Sequence, residues 1–426
     1  MKPINTQFFL NNPYFLSNGN VKEVYLYVQL QAEAAQTDKK RLPLNISLVI
    51  DRSGSMGGDK IIYAKKAADF VIKQLSPDDM LSLVQYDDVV EVIYAAEKVK
   101  NKEILHQKVA KIAARNMTNL SGGMMEGYNQ TRKLKAEGQV NRILLLSDGL
   151  ANAGITDAEQ LQLIAKKVFE NDGIALSTFG VGADFDEKLM TNLSESGGGN
   201  YYFIDAPDKI PPIFAQELSG LLAVVAQNAR LQVKIPASHF QVNKVYGYPF
   251  NVKDEVLTVN FNDVFSQEEK AVLIRLDVIQ SLQTDMQFDL SFEYDDVHIS
   301  MGKVSEEAQL FLRTTSDKEL YNSGVNAKVL EQMALFVSND LFEHALEASD
   351  SRDFVQARSK VKDSLAQLKI LKEMLGGNES ERLLAQEKLM EEYEARLGDM
   401  ESMSNNDLLM AQKMSKMSNY SSRKMK

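Results

Sequence analysis

Residues 46–56 read ISLVIDRSGSM, and this stretch decides the fold. Its first five residues have the length and composition of a strand that is buried on both faces of a parallel sheet. The carboxylate of Asp51 and the hydroxyls of Ser53 and Ser55 follow at once. Residues 60–75 then carry apolar side chains at helical spacing. Because open α/β sheets bind ligands at the carboxyl ends of their strands, this order predicts a binding crevice at the three oxygen-bearing side chains.

Apolar runs of strand length continue to alternate with helical segments from about residue 43 to residue 222. This order predicts an α/β fold with a doubly wound, mostly parallel, Rossmann-like sheet of about six strands and six helices. The predicted strands are 46–50, 81–86, 89–95, 142–147, 176–180 and 201–204. The predicted helices are 60–75, 103–113, 122–138, 158–171, 187–193 and 213–227.

The segments on either side of this region have the alternating pattern of antiparallel strands. Residues 21–33 alternate apolar and polar side chains, and residues 229–313 do so in several further runs. A lone N-terminal strand is not stable by itself, so we expect it to pair with the later strands in one β-sandwich, with the α/β domain inserted between the two halves. In the alternative arrangement, residues 14–33 add an edge strand to the α/β sheet.

Helical periodicity returns from about residue 316 and predicts helices near 329–344, 354–371 and 381–397, with a break at Gly376-Gly377. No apolar periodicity follows Gly398, which predicts a disordered tail. The sequence thus divides into five predicted parts. They are an N-terminal β segment (1–42) that pairs with a β-sandwich, an α/β domain (43–225), the β-sandwich (226–314), a helical region (315–398) and the tail (399–426).

Composition limits the chemistry of the chain. Its 48 Lys and Arg residues against 59 Asp and Glu give a formal net charge of -11, which argues against non-specific binding to nucleic acid or to an anionic membrane. The absence of cysteine excludes disulfides, cysteine-ligated zinc and thiol nucleophiles. The 4 histidines are dispersed, so a metal would have to bind oxygen ligands.

The N-terminal residues lack the continuous apolar core of a secretory signal, because Asn and Pro interrupt their short apolar runs. No stretch of the sequence approaches the length of a membrane span. We therefore expect a cytoplasmic protein.

Two further loops of the predicted sheet carry oxygen ligands. Asp148 follows the predicted strand 142–147, and Thr118 lies just ahead of a helix that should begin near Gly122. Three loops at one sheet edge thus offer carboxylates and hydroxyls, which are the ligands that Mg²⁺ or Mn²⁺ prefers. A plainer interpretation is that Asp51 and Asp148 only cap helices.

These loops resemble those of the von Willebrand factor type A (vWA) domain, whose metal-ion-dependent adhesion site uses Asp-x-Ser-x-Ser, a threonine and an aspartate in three successive loops. The resemblance extends over the α/β region and includes TNLSGG (118–123) and LLLSDGLANAG (144–154). A vWA domain between β segments and ahead of helices is also similar to inter-alpha-trypsin-inhibitor heavy chains and to bacterial vWA proteins. The resemblance implies an ion held by Asp51, Ser53, Ser55, Thr118 and Asp148.

What the resemblance implies is a non-enzymatic, Mg²⁺-dependent (or Mn²⁺-dependent) protein-binding module, an adaptor or scaffold, to which a partner contributes an Asp or Glu. By the same analogy, an AAA+ ATPase or another assembly is a candidate partner. The loops 57–60, 116–123 and 150–156 are expected to select the partner, together with Asp87-Asp88, which is predicted to be a solvated turn. Two alternatives are a metal-dependent hydrolase or phosphoryl-transfer enzyme, for which the sequence offers no obvious base, and an exported surface adhesin.

Overall fold

The elements of the fold are seen in a computed structural model that describes residues 3–34, 41–148, 151–182, 185–261, 263–297, 302–376 and 379–423. Of the features named from the sequence, Leu150, Gly377 and residues 424–426 lie outside these ranges. The strands are β1 (Ile4–Leu10), β2 (Tyr14–Leu16), β3 (Glu23–Ala32), β4 (Leu44–Asp51), β5 (Met80–Tyr86), β6 (Val90–Lys98), β7 (Val140–Ser147), β8 (Ala175–Val181), β9 (Gly198–Ile204), β10 (Val224–Lys234), β11 (Phe240–Tyr246), β12 (Phe250–Lys253), β13 (Val256–Asn260), β14 (Val264–Phe265), β15 (Glu269–Val278), β16 (Met286–Asp296) and β17 (Gly302–Thr315). The helices are α1 (Asp59–Gln74), α2 (Lys102–Ala110), α3 (Leu120–Lys133), α4 (Ala158–Asp172), α5 (Glu187–Ser196), α6 (Ile210–Leu222), α7 (Lys318–Ser323), α8 (Ala327–Asp350), α9 (Phe354–Leu375), α10 (Glu381–Met400) and α11 (Asn405–Arg423).

A sheet with the strand order β6-β5-β4-β7-β8-β9 forms the α/β part of the protein. Neighbouring strands are parallel except for the antiparallel pair β5 and β6. Every residue of β4 and of β7 is buried, because helices cover both faces of the sheet. The predicted doubly wound, mostly parallel α/β sheet is confirmed.

The two central strands of this sheet fix where a ligand can bind. The chain runs from β4 toward one edge and later from β7 toward the other, so the strand order reverses between β4 and β7. In doubly wound sheets the ligand crevice lies at the carboxyl ends of the strands at this reversal. Asp51 ends β4 and Asp148 follows β7, so both lie at that point.

The remaining strands form two sheets that face each other across an apolar core and are antiparallel except for the parallel pair β2 and β17. The first has the order β1-β3-β15-β11, and the second has the order β12-β13-β10-β16-β17-β2, with β14 beside β10. Leu26 of β3 lies opposite Ile274 of β15, and both are buried. The α/β domain is therefore inserted between β3 and β10, and the alternative in which residues 14–33 extend the α/β sheet is wrong.

The last helix of the α/β region ends earlier than the sequence predicts. Residues 224–227 were expected to be helical, but α6 ends at Leu222 and β10 begins at Val224. Backbone pairing of β10 with β14 and β16 and the burial of Val225 and Ala226 favour the strand. These tertiary contacts outweigh the local helical pattern.

Helices α7 to α10 occupy the predicted C-terminal helical region, 315–398. Val329 and Phe336 of α8 pack on Tyr27 and Leu273, on the outer face of the first sandwich sheet. No helix in the described ranges is both long and apolar enough to cross a membrane.

The prediction of a disordered tail is wrong for residues 399–423, because α10 continues to Met400 and α11 follows. The side of α11 that packs on its neighbours carries buried Gln412, Lys413 and Asn419 beside Tyr420. A buried face that is largely polar gives no apolar periodicity, so the sequence pattern does not reveal this helix.

Candidate metal site

Asp51 lies at the base of the site with no exposed surface. One carboxylate oxygen accepts a hydrogen bond of 2.8 Å from the backbone N–H of Ser53, and the other accepts one of 2.5 Å from the hydroxyl of Ser147. Burial raises the pKa of Asp51 to about 6, against the opposing effect of these hydrogen bonds, and the nearby Asp148 carboxylate adds to the rise. A cation at this position would offset the cost of burying the carboxylate.

The two serines of the first loop connect to the third loop through their hydroxyls. The Oγ atoms of Ser53 and Ser55 lie 3.1 Å apart, and Ser55 Oγ donates a 2.9 Å hydrogen bond to Asp148 Oδ1. Asp148 is fully buried, whereas Ser55 is exposed. The site therefore has a buried, negatively charged base and opens to solvent at Ser55.

Thr118 is bonded to the loop that follows Asp148. The N–H of Thr118 donates to Asn152 Oδ1 over 2.7 Å, and its carbonyl accepts from the N–H groups of Asn152 and Ala153. The first and second loops are joined by a bond from the N–H of Gly54 to the carbonyl of Asn116, 2.9 Å long. The structure thus joins the three predicted loops by hydrogen bonds. Four predicted ligands form one cluster, Asp51, Ser53, Ser55 and Asp148, whereas Thr118 is bonded to the third loop through Asn152.

Asp87 is not the solvated residue that the sequence predicts. It is fully buried, and its Oδ2 lies 2.8 Å from Nε of Arg52 and 2.6 Å from Nε of Arg115. Although burial opposes ionisation, the hydrogen bond from Arg115 and the charge of Arg52 hold the pKa of Asp87 below its ordinary value. Asp88 is exposed. The signal for Asp87 was its place directly after β5, at the same sheet edge as Asp51 and Asp148.

Lys60 was predicted only as part of the rim loop 57–60, and its contact with a predicted ligand was not foreseen. It is the second residue of α1, and its Nζ lies 3.0 Å from Asp148 Oδ2. The side chain is 17% exposed. A positive charge thus contacts the buried carboxylate of Asp148 directly.

The rim of the site carries exposed apolar side chains as well as polar loops. Met117 is 52% exposed next to Thr118, and Val89 is 47% exposed beyond Asp87. Residues 57–59 are exposed as well. Such a rim offers apolar contact area around a charged centre.

The donor set fits a divalent cation of the hard type. Asp51 and Asp148 supply carboxylate oxygens, and three hydroxyls stand beside them, with no sulfur or imidazole among the predicted ligands. The ammonium of Lys60 already occupies a position beside Asp148 that favours positive charge.

Residues 45–216 match the von Willebrand factor type A domain family. Together with the strand order, this match shows that the chain contains a vWA domain.

Similar proteins occur in bacteria and animals. The uncharacterized protein YfbK of Escherichia coli (strain K12) is 28% identical over 247 residues, which are 57% of this chain and 42% of YfbK. The inter alpha-trypsin inhibitor heavy chain 4 of Mus musculus is 24% identical over 54% of this chain and 24% of its own length. The match therefore spans less than half of each of these relatives, and the predicted similarity to both groups is confirmed.

A solved structure shares the fold over most of the chain. The von Willebrand factor type A protein from Catenulispora acidiphila superposes with a TM-score of 0.70 at 17% identity, and the match covers 87% of this chain and 88% of that one. The combination of a vWA domain with the additional strands and helices therefore occurs in another protein.

Proposed function

We propose that this protein is a non-enzymatic binding module that holds Mg²⁺ (or Mn²⁺) and, through the ion, an acidic side chain of a protein partner. The ion would be held by Asp51, Ser53, Ser55, Thr118 and Asp148. The observation that carries the proposal is the pair of buried carboxylates, Asp51 and Asp148. Ser53 donates its backbone N–H to Asp51, and its hydroxyl contacts that of exposed Ser55, which donates to Asp148. This arrangement provides a negative base and an open side.

The chemistry of the donors supports a partner that supplies a carboxylate. Two carboxylates and three neutral hydroxyls offer one oxygen each, which leaves at least one position of an octahedral Mg²⁺ shell for another ligand. The bound ion would supply an exchangeable position that attracts an oxygen anion. An Asp or Glu on a partner has the charge and the reach to occupy it.

The rim supports a protein rather than a small acid as the partner. Met117, next to the predicted ligand Thr118 in the chain, and Val89, two residues after Asp87, expose apolar surface. Burial of such side chains at an interface removes apolar surface from water, which favours protein association. The charged centre would provide specificity and the apolar rim would add affinity.

The rest of the chain suits an adaptor or scaffold, with the sandwich and helices as further docking surfaces. We propose that the chain consists of the β segment 1–42, the vWA domain 43–225, the sandwich 226–314 and the helical region 315–398. By family analogy, an AAA+ ATPase or another assembly is a candidate partner.

A metal titration tests the first part of the proposal, which is that the protein binds a divalent ion. Mn²⁺ is added to purified protein, and the free ion is followed by electron paramagnetic resonance. We expect the wild type to bind one ion and Asp51→Ala to lose that binding, whereas the matched control Asp88→Ala, which removes an exposed carboxylate at the same sheet edge, binds as the wild type does. Thermal melts show that each variant is folded.

Capture experiments then test the partner. The immobilised protein is exposed to a lysate in Mg²⁺ and in EDTA, and each captured protein is tested again after its surface Asp and Glu residues are changed to amides. Binding that requires Mg²⁺, Asp51 and one acidic residue of the partner supports the proposal. Equal Mn²⁺ affinity of the wild type and Asp51→Ala would contradict it.

A further inference from the structure

The side chain of Lys60 is held over the metal site from two sides. Its Nζ forms an ion pair of 3.0 Å with Asp148 Oδ2. Its stem passes over Gly182, at the end of β8, where an added Cβ would lie 2.6 Å from Cε of Lys60. Gly182 also has a positive φ of 83°, which disfavours residues with a side chain. The close approach keeps the ammonium near the carboxylate.

We propose that Lys60 sets the net charge of the loaded site and thereby makes it select an anionic ligand. This inference rests on the proposed function and names a further specificity-determining residue for it. Lys60 is not among the residues that would hold the ion.

The charges of the site explain this role. Asp51 and Asp148 carry two negative charges when ionised, and Mg²⁺ alone would neutralise them. Lys60 adds one positive charge within contact of Asp148, so the loaded site has an excess of positive charge. Binding of one carboxylate then neutralises the site, whereas without Lys60 the same carboxylate would leave it negative.

Lys60 has the opposite effect on the affinity for the metal ion. Its ammonium occupies one oxygen of Asp148, and it repels a divalent cation at short range. Lys60 therefore lowers the affinity for the metal while it raises the affinity of the loaded site for a carboxylate. A residue with only a structural role would change both affinities in the same direction.

The test uses the 426-residue chain and two probes, Mn²⁺ and acetate. Mn²⁺ affinity is measured from the resonance of the free ion, and acetate binding is measured from the relaxation of its methyl protons by protein-bound Mn²⁺. The variants are Lys60→Met, which keeps the unbranched stem, and Lys60→Arg, which keeps the charge. Lys66→Met, an exposed lysine of the same helix, is the matched control.

We expect Lys60→Met to bind Mn²⁺ roughly tenfold more tightly and acetate several-fold more weakly, as the loss of one charge near the ion requires. Lys60→Arg should retain the acetate affinity, and Lys66→Met should match the wild type in both measurements. Unchanged affinities in Lys60→Met, or a decrease of both, would overturn the role of Lys60.

Asp51→Ala separates this inference from the proposed function. If Asp51→Ala loses Mn²⁺ while Lys60→Met leaves both affinities unchanged, only the role of Lys60 fails. If Asp51→Ala binds Mn²⁺ like the wild type, the ion is not held at this site, and both proposals fail. Thermal melts of the Lys60 variants identify any loss of folding.

Discussion

Arg115 donates a 2.6 Å hydrogen bond from Nε to Asp87 Oδ2, and this bond ties the loop that precedes Thr118 to the end of β5. Arg52, in the first loop, approaches the same oxygen at 2.8 Å. One buried carboxylate thus holds two of the three loops of the site. The geometry of the predicted ligands depends on a residue that is not itself among them.

Replacement of Asp87 by Ala should therefore disturb both stability and metal binding. The change leaves the buried guanidinium of Arg52 without its 2.8 Å partner, and breaking a buried pair costs about 3 kcal/mol. We expect a lower urea midpoint and weaker Mn²⁺ binding. Asp88→Ala should change the free energy of unfolding by less than about 0.5 kcal/mol, since Asp88 is exposed. Equal behaviour of the two variants would show that Asp87 does not hold the loops.

Met117 allows partner binding to be separated from metal binding. It is 52% exposed at the rim and is not a predicted ligand. We expect Met117→Ser to weaken capture of a Mg²⁺-dependent partner while the Mn²⁺ affinity stays at the wild-type value. The exposed Met374 of α9, changed to Ser, is the control. Partner binding that is unaffected by Met117→Ser would place the protein contact elsewhere.

Gly123 allows α3 to approach the sheet closely. A Cβ at this position would lie 2.4 Å from Cδ1 of Tyr86, which is fully buried in β5. We expect Gly123→Ala to lower the free energy of unfolding by about 1–3 kcal/mol, because an overpacked core must shift. Gly220→Ala in α6 should be neutral or stabilising, since its Cβ would meet only Phe265 at 3.5 Å. Thermal melts compare the two, and equal melting temperatures would contradict the packing argument.

Lys413 connects α11 to the vWA domain in a partly charged interface. Its Nζ donates to the carbonyl of Phe185 over 2.8 Å and lies 3.5 Å from the centre of that ring. Burial lowers the pKa of Lys413 to about 8, against the opposing charge of Glu187, while Lys416 lowers it further. Asp350 of α8 also faces this group and raises its pKa.

The lowered pKa of Lys413 predicts a specific pH dependence of stability. Below pH 8 the lysine is protonated in both the folded and the unfolded protein, and its burial as a cation costs stability. Between pH 8 and about 10 the folded protein has lost the proton that the unfolded chain still holds, so stability rises with pH. We expect the melting temperature of the wild type to rise relative to Lys413→Met across this range. Parallel curves for the two proteins would rule out the effect.

The vWA part of the fold follows from the sequence because its signals are local. The run that ends at Asp51 is wholly buried, and each predicted site residue stands directly after a strand or ahead of a helix. Features that depend on distant partners could not be predicted in this way. Residues 224–227 become a strand through pairing with β14 and β16, and α11 is held by a buried face that is largely polar.

The roles of the site residues that were not predicted depend on contacts with residues that are distant in the sequence. The sequence shows that Asp87 follows a strand, but not that Arg52 and Arg115 converge on it. Lys60 lies in a loop that was predicted to form the rim, yet its contact with Asp148 depends on the turn of α1 and on the space left by Gly182.

The insertion of the vWA domain between β3 and β10 has a consequence for the order of events during synthesis. Gln31 of β3 pairs with Glu269 of β15, so β3 and its other neighbour β1 emerge from the ribosome long before β15 exists. At about 5–20 residues per second, the delay is on the order of tens of seconds. The vWA domain has all its strands by Ile204 and can fold during this interval. Until β15 has been synthesised, the first strands of the nascent chain present unpaired backbone N–H and C=O groups, to which chaperones or neighbouring chains can bind.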